Sequence, residues 1–182
     1  MNKRLWAASL LICAAVASAS MTGCSSAAEE SPESTESQAS TSVQESEKSA
    51  KGILEEISSA DEAEIFNASA YFDDDIFKKN CKKLYSFDID KLSDGGIIYV
   101  DSGGLADEIS LIKPADGDTA YALKALEARK QLRIQDFKGY KPEELDKIEN
   151  AQIFEAGGYA VFIISDNAEQ LAEKIRTMMQ KG

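Results

Sequence analysis

Histidine is absent from all 182 residues. Its absence excludes Ser-His-Asp and Cys-His catalysis, and also zinc sites that use a histidine ligand. Cysteine is scarce, with residues only at positions 13, 24 and 81. If the N-terminal segment is removed and Cys24 is modified, no disulfide can form. Cys81 is then a lone thiol, and we expect a small, partly buried residue because no base or second cysteine accompanies it.

Positive charge is also in short supply. The chain has 20 Lys and Arg against 32 Asp and Glu, a net charge of -12. Removing residues 1–23 takes away two basic residues and no acid, so the net charge becomes about -14. An acidic chain repels phosphates, which argues against a nucleic-acid partner and against electrostatic adhesion to anionic lipid. No cofactor motif is present, and no cofactor is expected.

The first 23 residues have the pattern of a secretory signal peptide. Lys3 and Arg4 precede the apolar run "LWAASLLICAAVASAS". This segment has three possible outcomes. The first is cleavage after "ASA" at 17–19, which would release a soluble protein. The second is retention of residues 5–23 as a membrane anchor. The third is a bacterial lipobox, which "MTGC" at 21–24 resembles, although Leu is usual where Met21 stands. We favour the third, with cleavage between Gly23 and Cys24 and lipid attached to Cys24.

Residues 24–50 are expected to comprise the lipidated Cys24 and a Ser/Glu-rich tether. Residues 25–50 hold nine Ser, six Glu and no aromatic residue. So little apolar surface cannot offset the entropy of ordering the chain, and we expect disorder. A flexible coil of this length spans roughly 25–30 Å, enough to hold a domain away from a lipid surface.

Residues 51–182 are expected to form a single α+β domain. Two β-hairpins are predicted, within 97–112 and 152–164, the second with a turn at Gly157–Gly158. A helix follows each hairpin, and further helices precede the first. The sequence therefore predicts a four-stranded antiparallel sheet with helices mainly on one face.

Spacing defines the faces of the predicted helices. Asp118 is expected to cap a long helix whose apolar stripe is Tyr121, Ala125, Ala128 and Leu132. The last helix has a stripe at 168, 171, 172, 175, 178 and 179. A short helical turn in "DIDKLSDGG" is expected to end at Gly95–Gly96.

The segment from about Phe72 to Met179 resembles a clostridial lipoprotein family known only as domain of unknown function 4358. The stretches that carry the resemblance are "DDDIFKK", "DIDKLSD", "SGGLADEISLIK", "ALEARKQ", "YKPEELDKIENA" and "YAVFIISDNAEQ". The resemblance implies an exported, lipid-anchored protein of low-GC Gram-positive bacteria. It implies no activity and no functional residue beyond Cys24.

Candidate sites in the folded part are few. Asp73–Asp75 resembles either a cation site or a helix N-terminus, and the second is favoured. "DGDTAYALKALE" fails as a calcium loop because Tyr121 stands where glycine is required. Tyr99, Ser102, Asp107 and Glu108 are proposed as a surface patch, with solvated turn residues as the alternative.

These observations favour a non-catalytic binding or interaction module on the outer face of the plasma membrane. Its partners would be the membrane, through the covalent lipid, and a cell-envelope protein. Two alternatives remain: a carboxylate-dependent hydrolase of wall or glycan material, and an accessory solute-binding protein, for which about 130 folded residues are few.

Overall fold

A computed structural model describes residues 48–101 and 103–180. The predicted signal peptide, Cys24, nearly all of the tether and Ser102 lie outside these residues. Within them, no helix is long and apolar enough to cross a membrane.

Five helices and five strands make up this part of the chain. The helices are α1 (Ala50–Ser58), α2 (Asp75–Asn80), α3 (Thr119–Lys138), α4 (Leu145–Glu149) and α5 (Ala168–Gln180). The strands are β1 (Ala68–Tyr71), β2 (Leu92–Tyr99), β3 (Glu108–Pro114), β4 (Gln152–Ala156) and β5 (Tyr159–Ile164). A π-helical turn, Cys81–Tyr85, continues α2, and short 3-10 turns occupy 61–63, 89–91 and 142–144.

The strands form one antiparallel sheet in the order β1-β2-β3-β5-β4. The α+β class and both predicted hairpins are confirmed, and a helix follows each hairpin. The prediction of four strands was one too few, because β1 was missed. This edge strand has only four residues, "ASAY", three of them small, and its strand character comes from pairing with β2, Ala68 opposite Tyr99.

Helices cover both faces of the sheet, so the prediction that they lie mainly on one face was wrong. Side chains of α2, α3 and α4 share one core with the sheet, and those of α1 and α5 share the other. All six residues of β5 are buried. Its alternate side chains enter the two cores, Ala160, Phe162 and Ile164 on one side and Tyr159, Val161 and Ile163 on the other. A strand that is apolar on both faces needs a cover on each.

Gly95 and Gly96 lie inside β2 rather than at a helix end, which corrects the sequence-based prediction. A Cβ at Gly95 would lie 2.5 Å from Phe77 Cζ, and one at Gly96 would lie 2.7 Å from Leu54 Cδ1. Since successive strand residues face opposite sides, the pair lets α2 approach one face and α1 the other.

Helix α3 is capped as predicted, since the Asp118 carboxylate accepts the Ala120 N–H at 3.2 Å. Its predicted stripe is wrong, because Tyr121 and Leu132 are 45% and 47% exposed. The buried positions are instead Ala122, Leu126, Arg129 and Phe137. Because Arg129 lies at the centre of the buried face, a search for regularly spaced apolar residues does not identify that face.

The second hairpin and α5 agree with the sequence. Gly157 and Gly158 have φ of +55° and +75°, the left-handed backbone that a two-residue turn requires. The predicted stripe of α5 is buried at 168, 171, 172, 175 and 178, and Met179 packs at its margin.

The folded part begins earlier than residue 51. The Ser49 side chain accepts the Gly52 N–H as the cap of α1, and Ala50 is fully buried. Asp94 of β2 accepts the Ala50 N–H at 2.7 Å and the Tyr159 hydroxyl at 2.5 Å. Ser49 and Ala50 therefore belong to the domain and not to the tether.

Candidate functional site: buried charges beneath the β2–β3 connection

The connection from β2 to β3, of which residues 100, 101 and 103–107 are described, adjoins a group of buried charges. Glu108, the first residue of β3, and Asp107 just before it are each only 2% exposed. Their partners come from the π-helical turn, from α3 and from the segment 140–147. The two acids divide the group into two clusters.

Glu108 is the centre of the first cluster. Its carboxylate accepts hydrogen bonds from Arg129 Nη2 at 2.7 Å and Arg129 Nε at 3.3 Å. The Tyr85 hydroxyl donates to it at 2.6 Å, and the Ser110 hydroxyl lies 2.6 Å from the Tyr85 oxygen. Ser110 is two residues further along β3 and so faces the same side as Glu108. The carboxylate thus has cationic and hydroxyl partners together.

This environment keeps Glu108 ionised. Burial raises its pKa, but attraction to Arg129 and the hydrogen bonds from Arg129 and Tyr85 outweigh burial and hold the pKa below its ordinary value. Burial, reinforced by the charge of Glu108, raises the pKa of Tyr85. The tyrosine is therefore a neutral hydroxyl donor and the glutamate a buried anion, so the glutamate does not hold a proton to donate.

Arg133 lies one helical turn after Arg129 and joins the cluster to the connection above it. Its Nε is 3.9 Å from Glu108 Oε2, and its Nη2 donates to the Ala106 carbonyl at 2.9 Å. Its guanidinium also stands over the Phe137 ring, 4.6 Å from the centroid. Burial lowers the pKa of Arg133 despite the nearby Glu108.

Lys147 is the centre of the second cluster. Its ammonium lies 2.8 Å from Asp107 Oδ2 and 3.0 Å from Glu144 Oε2, and all three side chains are less than a tenth exposed. The exposed carboxylate of Asp166 lies 3.5 Å away. Burial raises the pKa of Asp107, only partly opposed by Lys147. Burial also raises the pKa of Glu144, but the hydrogen bond from the Ala106 N–H and the contact with Lys147 lower it by a larger amount. The pKa of Glu144 therefore lies below its ordinary value.

Side chains from α3 and the segment after it hold the backbone of the connection. The Tyr140 hydroxyl donates to the Gly103 carbonyl at 3.0 Å, and Glu144 accepts the Ala106 N–H at 3.0 Å. Together with Arg133 on the Ala106 carbonyl, three side chains fix two residues of this connection. The connection is therefore clamped to the domain at Gly103 and Ala106, and Gly103 is exposed.

The predicted surface patch is corrected by these positions. Asp107 and Glu108 are not surface residues, because each is paired with buried cations beneath the connection. Tyr99 is half-buried at the end of β2 and pairs with Glu108 across the strands. Ser102 lies outside the described residues. The sequence interpretation missed the partners Tyr85, Ser110, Arg129, Arg133, Glu144 and Lys147, although two arginines one turn apart on the buried side of a helix were a usable signal.

Other candidates are accounted for locally. Asp74 stands at the N-terminus of α2, where its carboxylate accepts the Tyr71 N–H at 2.8 Å. Among the side chains that the structure describes, no group of three or more Cys, Asp or Glu residues is arranged to hold a metal ion. Burial raises the pKa of Cys81 to about 12, so its thiol stays protonated and unreactive at neutral pH.

A family model described as "Domain of unknown function (DUF4358)" matches residues 67–165, more than half of the chain. The chain belongs to this family. The matched region contains all five strands, α2 to α4 and both buried charge clusters except Asp166. Comparisons with curated proteins and with solved structures gave no match.

Proposed function

We propose that this DUF4358 protein is a lipid-anchored module that binds a cell-envelope partner on the outer face of the plasma membrane and has no catalytic activity. The observation that carries the proposal is "MTGC" at 21–24, which lies between an apolar signal-like run and a Ser/Glu-rich tract. A diacylglycerol on Cys24 supplies two acyl chains, enough for stable anchoring where one chain binds only marginally.

The clamped β2–β3 connection supports a binding role. A loop held in one conformation loses little entropy when a partner docks on it. Arg133, Tyr140 and Glu144 bind the backbone of this connection and leave Gly103 exposed and residues 104–105 half-buried. We therefore place the partner-binding surface at residues 103–105.

The arrangement of acids favours binding over hydrolysis. A carboxylate hydrolase needs one acid with a raised pKa and a second acid facing the same substrate. Asp107 has a raised pKa and Glu144 a lowered one, but both carboxylates contact Lys147 and are less than a tenth exposed. Neither is among the residues that line the grooves beside β1, beside α2 and at the start of α5.

Anchoring is tested by intact-mass analysis of the protein recovered from membranes. The wild type is expected to begin at Cys24 and to carry added lipid mass. Cys24→Ala should lose that mass and leave the detergent phase, whereas Cys13→Ala, a matched loss of a cysteine from the same segment, should remain lipidated. A wild-type chain that begins at Ser20, or an unmodified Cys24, contradicts the proposal.

Partner binding is tested by photo-crosslinking on intact cells. Positions 103 and 139 are well matched, since both are exposed glycines and a Cβ at either meets nothing within 4 Å. A crosslinkable residue at 103 should capture a discrete protein and one at 139 should not. Capture at neither position, or an identical set at both, contradicts the assignment of the binding surface.

A further inference from the structure

A groove of about 680 Å³ opens beside α2. It lies between the end of α2, with its π-helical turn, and the segment that turns back from it. Its lining residues are Lys78, Lys82, Ser86, Phe87, Asp88 and Ile89. None of them belongs to the buried charge clusters or to the β2–β3 connection.

Positive charge is concentrated beside this groove. In a chain of net charge -12, "KKNCKK" places four lysines in residues 78–83, and no acid occurs from 76 to 87. Lys78 and Lys82 are four residues apart, so on a helical surface their Cβ atoms are about 5–6 Å from each other and both can reach one anion. Lys78 makes an exposed contact of 3.5 Å with Asp75, while in the described part of the chain no carboxylate forms an ion pair with Lys82.

The backbone at the end of this helix places Ser86 in the lining of the groove. Ser86 follows the π-helical turn and has φ of 57°, the positive φ found at a non-glycine residue in the described chain. Ser86 is the C-cap of this helix, and its N–H donates to the Cys81 carbonyl. Glycine usually occupies such a position, and a non-glycine residue in this conformation costs of order 1 kcal/mol or more. Because of this turn, Ser86 lines the same groove as the two lysines.

Two apolar side chains, Phe87 and Ile89, also line the groove. Phe87 is held by the Tyr85 ring at 6.0 Å and by the half-exposed Tyr121 ring at 5.6 Å, and Ile89 packs against the same core. A groove lined by two lysines, a serine and fixed apolar side chains suits an anionic group attached to a carbon skeleton.

We propose that this groove binds the phosphate group of an organic phosphate ester, with Lys78 and Lys82 as its counter-charges and Ser86 as a hydrogen-bond donor. Lysine serves as a point charge for phosphate. The ester is either a soluble molecule or a phospholipid headgroup. The site is independent of whether Cys24 carries a lipid.

Asp88 is the opposing charge in the groove. Its carboxylate accepts the Asp90 N–H at 3.3 Å, a local capping contact that an asparagine oxygen can also make. Asp88→Asn is therefore expected to preserve the turn and to tighten phosphate binding about two- to threefold, because one negative charge is removed beside the ligand.

The test uses the purified whole protein in neutral detergent, titrated with glycerol 3-phosphate in a calorimeter. The variants K78Q/K82Q and K79Q/K83Q remove the same charge from the same six residues, at the same spacing, but only the first pair lines the groove. We expect K78Q/K82Q to weaken binding at least tenfold and K79Q/K83Q to weaken it less than threefold, since charges away from the site are screened by salt. A second arm compares micelles doped with phosphatidylglycerol or phosphatidylcholine.

Saturable binding that depends on Lys78 and Lys82 in either arm supports the site, and the arm in which it occurs identifies the source of the phosphate. Absence of binding in both arms overturns the proposal. Equal weakening by the two double variants also overturns it, because general attraction to a basic helix would then explain the binding.

Discussion

Replacing Glu108 with glutamine leaves the Arg129 guanidinium buried without its counter-charge. Glu108 is 2% exposed and Arg129 8%, so water cannot replace the lost carboxylate. Four hydrogen bonds of 2.6 to 3.4 Å converge on this carboxylate, and glutamine has one acceptor oxygen in place of two. Breaking a buried ion pair by removing one partner costs about 3–5 kcal/mol. Since domains are stable by roughly 5–15 kcal/mol, Glu108→Gln is expected to lose a large part of the total.

Urea unfolding followed by circular dichroism measures this loss, and a double-mutant cycle isolates the pair. Arg129→Met alone should cost a similar amount, because it leaves the carboxylate with less compensation. The double variant E108Q/R129M should cost at least about 2 kcal/mol less than the sum of the single variants. Glu127→Gln is the matched control, because Glu127 is an exposed glutamate on α3, the helix that carries Arg129. Its free energy of unfolding should stay within about 0.5 kcal/mol of wild type.

Two outcomes would refute this reasoning. A loss below about 1 kcal/mol for Glu108→Gln would mean that the buried arginine finds other compensation. Additivity of the single variants within about 0.5 kcal/mol would mean that Glu108 and Arg129 do not stabilise each other.

Two further predictions concern acid and the sheet. Folding lowers the pKa of Glu108 from an ordinary 4.5. Its contribution to the free energy of unfolding is therefore complete above that pH and is lost as the pH falls through the folded pKa. The pKa of Asp107 is raised, so acidification changes its contribution in the opposite direction. Urea midpoints should therefore fall on acidification from about pH 5 to about pH 3, and less steeply in Glu108→Gln; equal slopes would contradict the assignment. Gly95→Ala would place a Cβ 2.5 Å from Phe77 Cζ and 3.1 Å from the Leu111 carbonyl oxygen, and should lower the free energy of unfolding by about 1–3 kcal/mol. Gly103→Ala is the control: its Cβ meets nothing within 4 Å, so the same urea assay should show almost no change.

Local sequence was sufficient where a single element carried the signal. The turn at Gly157–Gly158 was predictable because only glycine readily adopts two successive positive φ values. The stripe of α5 was predictable because every buried position in it is apolar. The Asp118 cap depends only on the two residues that follow it.

Local sequence was insufficient where an element depends on a distant one. Strand β1 exists because β2 pairs with it, and Gly95–Gly96 are strand residues because helices approach both sides of them. Glu108 is buried because Arg129, twenty-one residues away, offsets its charge. A charged residue is assigned to the surface when its partner is unknown, which is why Asp107 and Glu108 were predicted to belong to a surface patch. Cys24 lies outside the described residues, so its lipidation stays a prediction.

Asp94 has a mechanical consequence. It joins the first peptide of α1 to Tyr159 of β5, and β3 lies between β2 and β5 in the sheet. A pull along the preceding chain would therefore reach two non-adjacent strands at once through a single carboxylate. The load would be shared across the centre of the sheet instead of peeling its edge, so the domain would resist being unravelled from its N-terminal end.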